Sequence, residues 1–149
     1  MKALQIVSIL LFCIVLVSGC GPKRPEGLPK LYECVLTFQQ EDGSPLDGAT
    51  VSLISDDPAL AQWSFAGATD SSGTAKIRAG GDFSGAPTGK FKVVISKRAI
   101  RDTGKIDADG SSISEGYSVI NEKYSNVGTS PLSVEIANKA VKETFKVEK

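Results

Sequence analysis

The chain predicts an all-β fold, an antiparallel β-sandwich of about seven strands over residues 31–149. Three observations lead there. Short runs that alternate apolar and polar residues recur from Leu31 onward. Clusters of Gly, Pro, Asp and Ser separate them. Beyond Lys30 the apolar period of an amphipathic helix is missing.

The first run is Leu31 to Gln40. It sets Cys34, Leu36 and Phe38 on one face and Glu33, Thr37 and Gln39 on the other. Glu41 to Leu46 is dense in turn formers. Ala49, Val51 and Leu53 then alternate with Thr50 and Ser52, and Asp56-Asp57-Pro58 breaks that strand. Trp63 to Thr69 reads as a third strand. Asp70-Ser71-Ser72-Gly73 turns the chain, and Thr74 to Arg78 returns as the fourth. A Gly-rich loop runs from Gly80 to Gly89. In the next strand, Lys90 to Lys97, residues Phe91, Val93 and Ile95 share a face. Leu132, Val134 and Ile136 make a sixth strand, and Thr144 to Val147 a seventh that closes the sheet. Trp63, Phe65, Ile77 and Phe145 are expected to join the core.

Residues 100–130 stand apart as a poorly patterned connection. Loops of that length without structure of their own are uncommon and often functional, so a site is sought here first. The loop holds Tyr117 and Tyr124, the candidate contacts for a glycan or another small ligand. The alternative is that either ring packs over the sandwich edge.

The beginning of the chain carries a different signal. Met1-Lys2 is a short positive start, and Ala3 to Val17 is apolar apart from Gln5 and Ser8. That length fits a signal peptide and falls short of the roughly 18–20 residues of a membrane-spanning helix. The stretch ends Leu16-Val17-Ser18-Gly19-Cys20, which resembles the lipobox of bacterial lipoproteins. The resemblance implies cleavage before Cys20, a diacylglyceryl group on its thiol and a fatty acid such as palmitate on the new amino terminus. Two or three acyl chains hold a protein on a membrane where one holds it only marginally. The expected organisation is a signal peptide at 1–19, a lipidated amino terminus with a Pro-rich tether at 20–30, and the sandwich at 31–149. Extended at about 3.1 Å per residue, the tether would reach roughly 30 Å. Gly21 replaces the Asp that often retains such proteins at the inner membrane, which favours the outer membrane.

Composition narrows the chemistry. Lys plus Arg and Asp plus Glu are equal at 17 each, so no basic field is present to attract nucleic acid. No histidine occurs, which removes His-based triads, His-ligated zinc and histidine bases. With Cys13 in the signal peptide and Cys20 lipidated, Cys34 has no partner for a disulfide and reads as a small buried hydrophobe. Asp107-Ala108-Asp109-Gly110-Ser111 looks like part of a calcium loop. Setting Gly110 at the sixth position puts Lys105 first and Gly116 twelfth, where carboxylates are needed, so a solvated turn is the better reading. No G-x-S-x-G elbow is present, and Asp56-Asp57 reads as a turn. No cofactor and no metal are expected.

Three pieces in order resemble carboxypeptidase regulatory-like domains, which have a transthyretin-like sandwich. They are Asp42-Gly43-Ser44-Pro45-Leu46-Asp47-Gly48-Ala49-Thr50-Val51, then Ala68-Thr69-Asp70-Ser71-Ser72-Gly73-Thr74-Ala75, then Pro87-Thr88-Gly89-Lys90-Phe91-Lys92-Val93. The stretch from Glu122 to Val134 is similar to small lipoproteins of planctomycete-type bacteria. The resemblance implies a sandwich used for stability, adhesion or docking, without peptidase activity. The hydroxyisourate-hydrolysing branch of transthyretin-like proteins needs histidines and a Tyr-Arg-Gly-Ser ending, and this chain ends Phe145-Lys146-Val147-Glu148-Lys149. The expected function is a non-catalytic, lipid-anchored cell-envelope module with a structural or protein-docking role. A surface module for carbohydrate or another small ligand is the alternative, and a hydrolase with an unrecognised site comes third.

Overall fold

The structure is a computed structural model that describes residues 22–149. The expected signal peptide and Cys20 lie outside the described residues. Two sheets enclose one core. The smaller sheet holds β1 (Cys34–Gln40), β4 (Thr74–Lys76) and β11 (Val141–Val147) in the order β11-β1-β4. The larger holds β2 (Thr50–Ile54), β3 (Phe65–Ala68), β5 (Arg78–Ala79), β6 (Phe83–Ser84), β7 (Gly89–Ser96) and β10 (Ser133–Ile136), in the order β10-β7-β2-β3-β5-β6. Two further strands, β8 (Arg98–Ile106) and β9 (Ser112–Ser118), pair only with each other. Among the described residues no helix is long and apolar enough to cross a membrane.

The strand alternation read from the sequence sets the core. Cys34, Leu36 and Phe38 of β1 are buried, as are Val51 and Leu53 of β2 and Phe91, Val93 and Ile95 of β7. Phe65 meets Phe91 edge-on with centroids 5.8 Å apart, the arrangement that aromatic quadrupoles favour. Trp63, Leu132 and Phe145 are half-buried and pack on the core from its margin. Two buried polar side chains complete backbone pairing between strands. Thr69 Oγ1 accepts from the Ala49 amide at 2.8 Å, and Ser130 Oγ donates to the Val93 carbonyl at 2.6 Å.

Three chain reversals use one hydrogen-bond pattern. In Gln40–Ser44, Asp70–Thr74 and Asp107–Ser111 the first amide donates to the fifth carbonyl, and the amide of the fourth residue donates back to the first carbonyl. The fourth residue is Gly43, Gly73 or Gly110, each with positive φ. This is a tight turn closed by a left-handed glycine, which matches the twist of the flanking strands.

Four expectations change. The sandwich has nine strands instead of seven, because the expected strand from Thr74 to Arg78 divides into β4 and β5 in different sheets and the Gly-rich loop contributes β6. The sheets are antiparallel except at β1–β11, whose partners run parallel from Cys34↔Val141 to Gln40↔Val147. The cause is the short connection after β10, which crosses between the sheets and sends β11 in the same direction as β1. The connection at 100–130 is mostly structured, as β8, β9 and a 3-10 turn at Glu122–Ser125. The segment before β1 is docked instead of free: Leu28 is buried, and the Arg24 guanidinium donates to the Leu28 and Pro29 carbonyls. Proline content predicted extension, but one leucine finds the core.

The strand registers give the sandwich two distinct ends. Tyr32 bridges Ala86, and Gly89 pairs with Ile136, at the end where the amino-terminal segment enters. Thr50 pairs with Ser96, and Gln40 with Val147, at the other. The chain leaves for β8 just after Ser96 and returns at Val119, whose amide donates to the Lys97 carbonyl at 2.8 Å. The β8–β9 ribbon is therefore rooted at the end opposite the amino-terminal segment, one β1 length or about 23 Å away.

Candidate functional site

The ribbon is the most unusual surface of the molecule. A hairpin with no covering layer is only marginally stable in water, and this one is supported from within. Asp107 Oδ1 accepts from the Asp109 and Ser111 amides, both at 2.9 Å, and fastens the tip. Midway, β8 carries extra residues between Asp102 and Lys105. Asp102 Oδ1 holds the Gly104 amide at 2.8 Å, and Thr103 Oγ1 donates to the Ile113 carbonyl at 2.6 Å, so the bulge is pinned on both sides.

Register divides the ribbon into two faces. One pairs Arg98↔Ser118, Ile100↔Gly116, Asp102↔Ser114 and Ile106↔Ser112. Ile100 is 79% exposed and Ile106 69% exposed, with only serines and a glycine opposite them. The other face pairs Ala99↔Tyr117, Arg101↔Glu115 and Lys105↔Ile113. There Arg101 lies 5.4 Å from the Tyr117 ring centre and its Nη2 is 3.1 Å from Glu115 Oε2. Exposed pairs of this kind contribute little stability. They hold Tyr117 in place. Six large hydrophobics are exposed among the described residues, and four of them, Ile100, Ile106, Ile113 and Tyr117, belong to this ribbon. Apolar surface gathered in that way marks an interaction site more often than isolated exposed side chains do.

The two tyrosines proposed from sequence do not share a surface. Tyr117 is 40% exposed on the ribbon. Tyr124 is 3% exposed, and its hydroxyl accepts from the Glu148 amide at 3.3 Å. The 3-10 turn swings the Tyr124 ring inward, so it seals the sandwich and presents no face to a ligand. Lys123 closes over it, 5.0 Å from the ring centre, and bonds Glu148 at 2.7 Å.

The acidic residues serve turns. Asp57 Oδ1 accepts from the Ala59 amide at 2.9 Å and caps the 3-10 turn at Pro58–Leu60. Asp42 and Asp70 each accept from a serine hydroxyl two residues on, which holds both carboxyls below the usual aspartate range. Among the described residues no group of His, Cys, Asp and Glu is placed to hold a metal. Cys34 is buried, and desolvation, helped by the charge of Glu143, pushes its thiol up to about 11. A shallow cavity of about 120 Å³ lies between Leu53, Ser55, Leu60, Trp63 and Phe65, and the buried Trp63 Nε1 has no hydrogen-bond partner.

Sequence reasoning pointed to residues 100–130 and to Tyr117 but missed the two strands of the ribbon and its exposed Ile100 and Ile106. One signal was available. Asp107-Ala108-Asp109-Gly110 repeats the Asp-x-x-Gly form of the recognised turn at Asp70–Gly73, and an isoleucine stands on each side of it.

No family model matches the chain, and no curated protein matches it. Among solved structures it is similar to the major pilin subunit of Bacillus cereus. One structure of that subunit aligns at 20% identity and TM-score 0.46, and another at 18% and 0.44, each covering 81% of this chain and 31% of the pilin chain. A 9R-lipoxygenase from Cyanothece aligns at 13% identity and TM-score 0.34, over 96% of this chain and 20% of that one. The chain spans less than a third of the length of these proteins.

Proposed function

We propose that this protein is a non-catalytic, lipid-anchored module of the bacterial cell envelope. In this reading it docks a protein partner through the β8–β9 ribbon. The observation that carries the reading is the exposure of Ile100 and Ile106 on a ribbon whose strands pair with no other strand. Burying such side chains against a partner contributes about 1.5–3 kcal/mol each. The free edges of β8 and β9 add the option of strand pairing. The lipobox-like Leu16 to Cys20 supports the anchor, and the three regulatory-like motifs support a carboxypeptidase regulatory-like sandwich as the scaffold. An anchor at Cys20 would lie at the amino-terminal end of the sandwich and hold the ribbon outward. The missing Asp at position 21 favours the outer membrane.

The test is an in-cell crosslinking pull-down of the carboxy-terminally tagged chain, run beside an Ile100→Ser, Ile106→Ser double variant. A partner captured by the first and lost by the second supports docking. An identical set of partners from both removes the ribbon from the reading. Fractionation of Cys20→Ala tests the anchor separately: the variant should leave the membrane fraction, and its staying there would refute lipidation.

Glycan binding remains a second reading because Tyr117 is exposed with Arg101 and Glu115 beside it, an aromatic face with polar neighbours. A glycan panel decides it. Binding that survives Tyr117→Ala would rule the ring out.

A further inference from the structure

Four strands end the two sheets of the sandwich, and they differ in length. β6 has 2 residues, β4 has 3 and β10 has 4, short enough to offer another chain little to pair with. β11 has 7 and pairs with β1 over its whole length without a bulge. Its backbone groups alternate sides. The Val141 amide donates to the Glu33 carbonyl at 2.8 Å, which turns Val141, Glu143, Phe145 and Val147 toward β1. The backbone groups of Lys142, Thr144 and Lys146 therefore point the other way, along the open edge. At Glu148 that edge is closed. Its carbonyl accepts from the Asn121 amide at 3.0 Å, and its amide donates to the Tyr124 hydroxyl at 3.3 Å. From Lys142 to Lys146 no strand among the described residues covers the edge, and Lys142, Glu143, Thr144 and Lys146 are exposed.

We propose that this edge binds an acidic strand of another protein, added antiparallel to β11 along Lys142, Thr144 and Lys146. The surface is separate from the β8–β9 ribbon, and the inference does not rest on ribbon docking. Each of the three residues would exchange two hydrogen bonds with the residue opposite. The free stretch is about 13 Å long, so about five residues fill it.

Side chains choose the occupant. Lys142 and Lys146 share the face that points away from the core, and among the described residues neither is in an ion pair. The acids on that side, Glu33, Glu41 and Glu148, lie beyond the free stretch, and Glu148 bonds Lys123 at 2.7 Å. Carboxylates four residues apart on the added strand meet both lysines. On its other face the strand crosses half-buried Phe145 and then Glu143, which call for an apolar residue and a lysine. The order acid, apolar, Thr, Lys, acid, run against β11, satisfies every position.

The same lysines turn away a second copy. Antiparallel pairing of β11 with β11 about Thr144 sets Lys142 opposite Lys146. Sliding two residues one way sets Glu143 opposite Glu143, and sliding the other way carries Lys142 to Glu148, where the edge is already closed. Like charges directly opposite are destabilising, so the edge selects by repulsion as well as attraction.

The probe is a fluorescent peptide, Ser-Glu-Val-Thr-Lys-Glu-Ser, titrated into the full chain in mild detergent and followed by anisotropy. Saturable binding is expected. The Lys142, Thr144 and Lys146 amides should gain protection from hydrogen exchange, while those of Glu143 and Phe145, already bonded to β1, stay as they were. Lys142→Glu with Lys146→Glu should weaken binding roughly tenfold or more and favour a peptide whose two glutamates are replaced by lysine. Thr144→Pro removes an outward N–H and no bond to β1, so it should abolish binding while the chain still unfolds cooperatively. If that variant does not fold, the charge reversal decides alone. No saturation, or binding indifferent to the charge reversal or to a folded Thr144→Pro, overturns strand addition. Loss of peptide binding in Ile100→Ser, Ile106→Ser would put the peptide on the ribbon and overturn it too. Unchanged binding in that variant supports a separate edge site, whatever the pull-down says of ribbon docking.

Discussion

Phe38 and Phe145 face each other across the parallel β1–β11 ladder, with ring centroids 5.5 Å apart and planes 26° from parallel. Phe38 is fully buried while Phe145 covers it from the margin. The stack is what attaches the carboxy-terminal strand. A pair of this kind adds about 0.5–1.5 kcal/mol beyond the area it buries. Phe145→Ala should therefore destabilise the fold by about 2 kcal/mol, and Phe38→Ala by about 4. Urea unfolding of the two single variants and the double variant would show coupling of about 1 kcal/mol. Additive losses would mean that the rings do not act as a pair.

The shared turn pattern separates two glycines. A Cβ on Gly73 would collide with the Phe38 carbonyl oxygen and press on Leu46 N at 3.0 Å, whereas one on Gly110 would meet nothing. Both have positive φ, at 75° and 82°. Gly110→Ala should leave the denaturation midpoint nearly unchanged, because the tip it strains belongs to a ribbon the core does not use. Gly73→Ala should cost more than about 2 kcal/mol, since strain and overpacking add. Equal shifts would refute the distinction.

Asp42 and Asp70 predict an acid-side slope. Each has a folded-state pKa below its ordinary value, chiefly because a serine hydroxyl bonds the carboxylate. A depressed carboxyl stabilises the fold fully above the unfolded value, near 3.9, and that contribution disappears as pH falls from there through the folded value. Stability should be flat near neutrality and fall below about pH 4. Asp70→Asn keeps an acceptor in the turn but cannot titrate. Its stability measured against pH should decline less steeply on the acid side, and an unchanged slope would exclude Asp70 as a contributor.

Cys34 should be chemically quiet. With its thiol at about 11, the thiolate fraction at pH 8 is a hundredfold or more below that of an ordinary cysteine near 8.5. Alkylation followed on the Cys34 peptide by mass spectrometry should be slow in the native protein and fast in denaturant. Rapid native labelling would show that β1 opens readily.

These residues also mark what the sequence made legible. Leu36, Phe38, Val51, Phe91 and Ile95 obey strict alternation because one sheet face is buried, and burial writes the pattern. Leu28 was missed because a single anchoring leucine among prolines has no period. Tyr124 was misread because a short 3-10 turn decides where its ring goes, and nothing in the local pattern encodes that. The parallel pairing of β11 depends on a crossing between sheets, which strand periodicity does not record. The strands of the ribbon escaped notice for the opposite reason to the core: with both faces in solvent, no alternation is imposed on β8 or β9.

That same lack of imposed pattern makes the last prediction. Side chains that pack on nothing cannot be holding the fold, so Ile100→Ser with Ile106→Ser should change stability by no more than about 0.5 kcal/mol. Thermal and urea unfolding should overlay those of the parent. An exposed isoleucine on a strand is costly to solubility, so the double variant should also aggregate less at high concentration. A large loss of stability would mean that the isoleucines are folded against the sandwich in solution, and the free ribbon would not exist as a docking surface. Unchanged stability with altered association separates the two roles: the sandwich keeps the fold, and the isoleucine face is left for a partner.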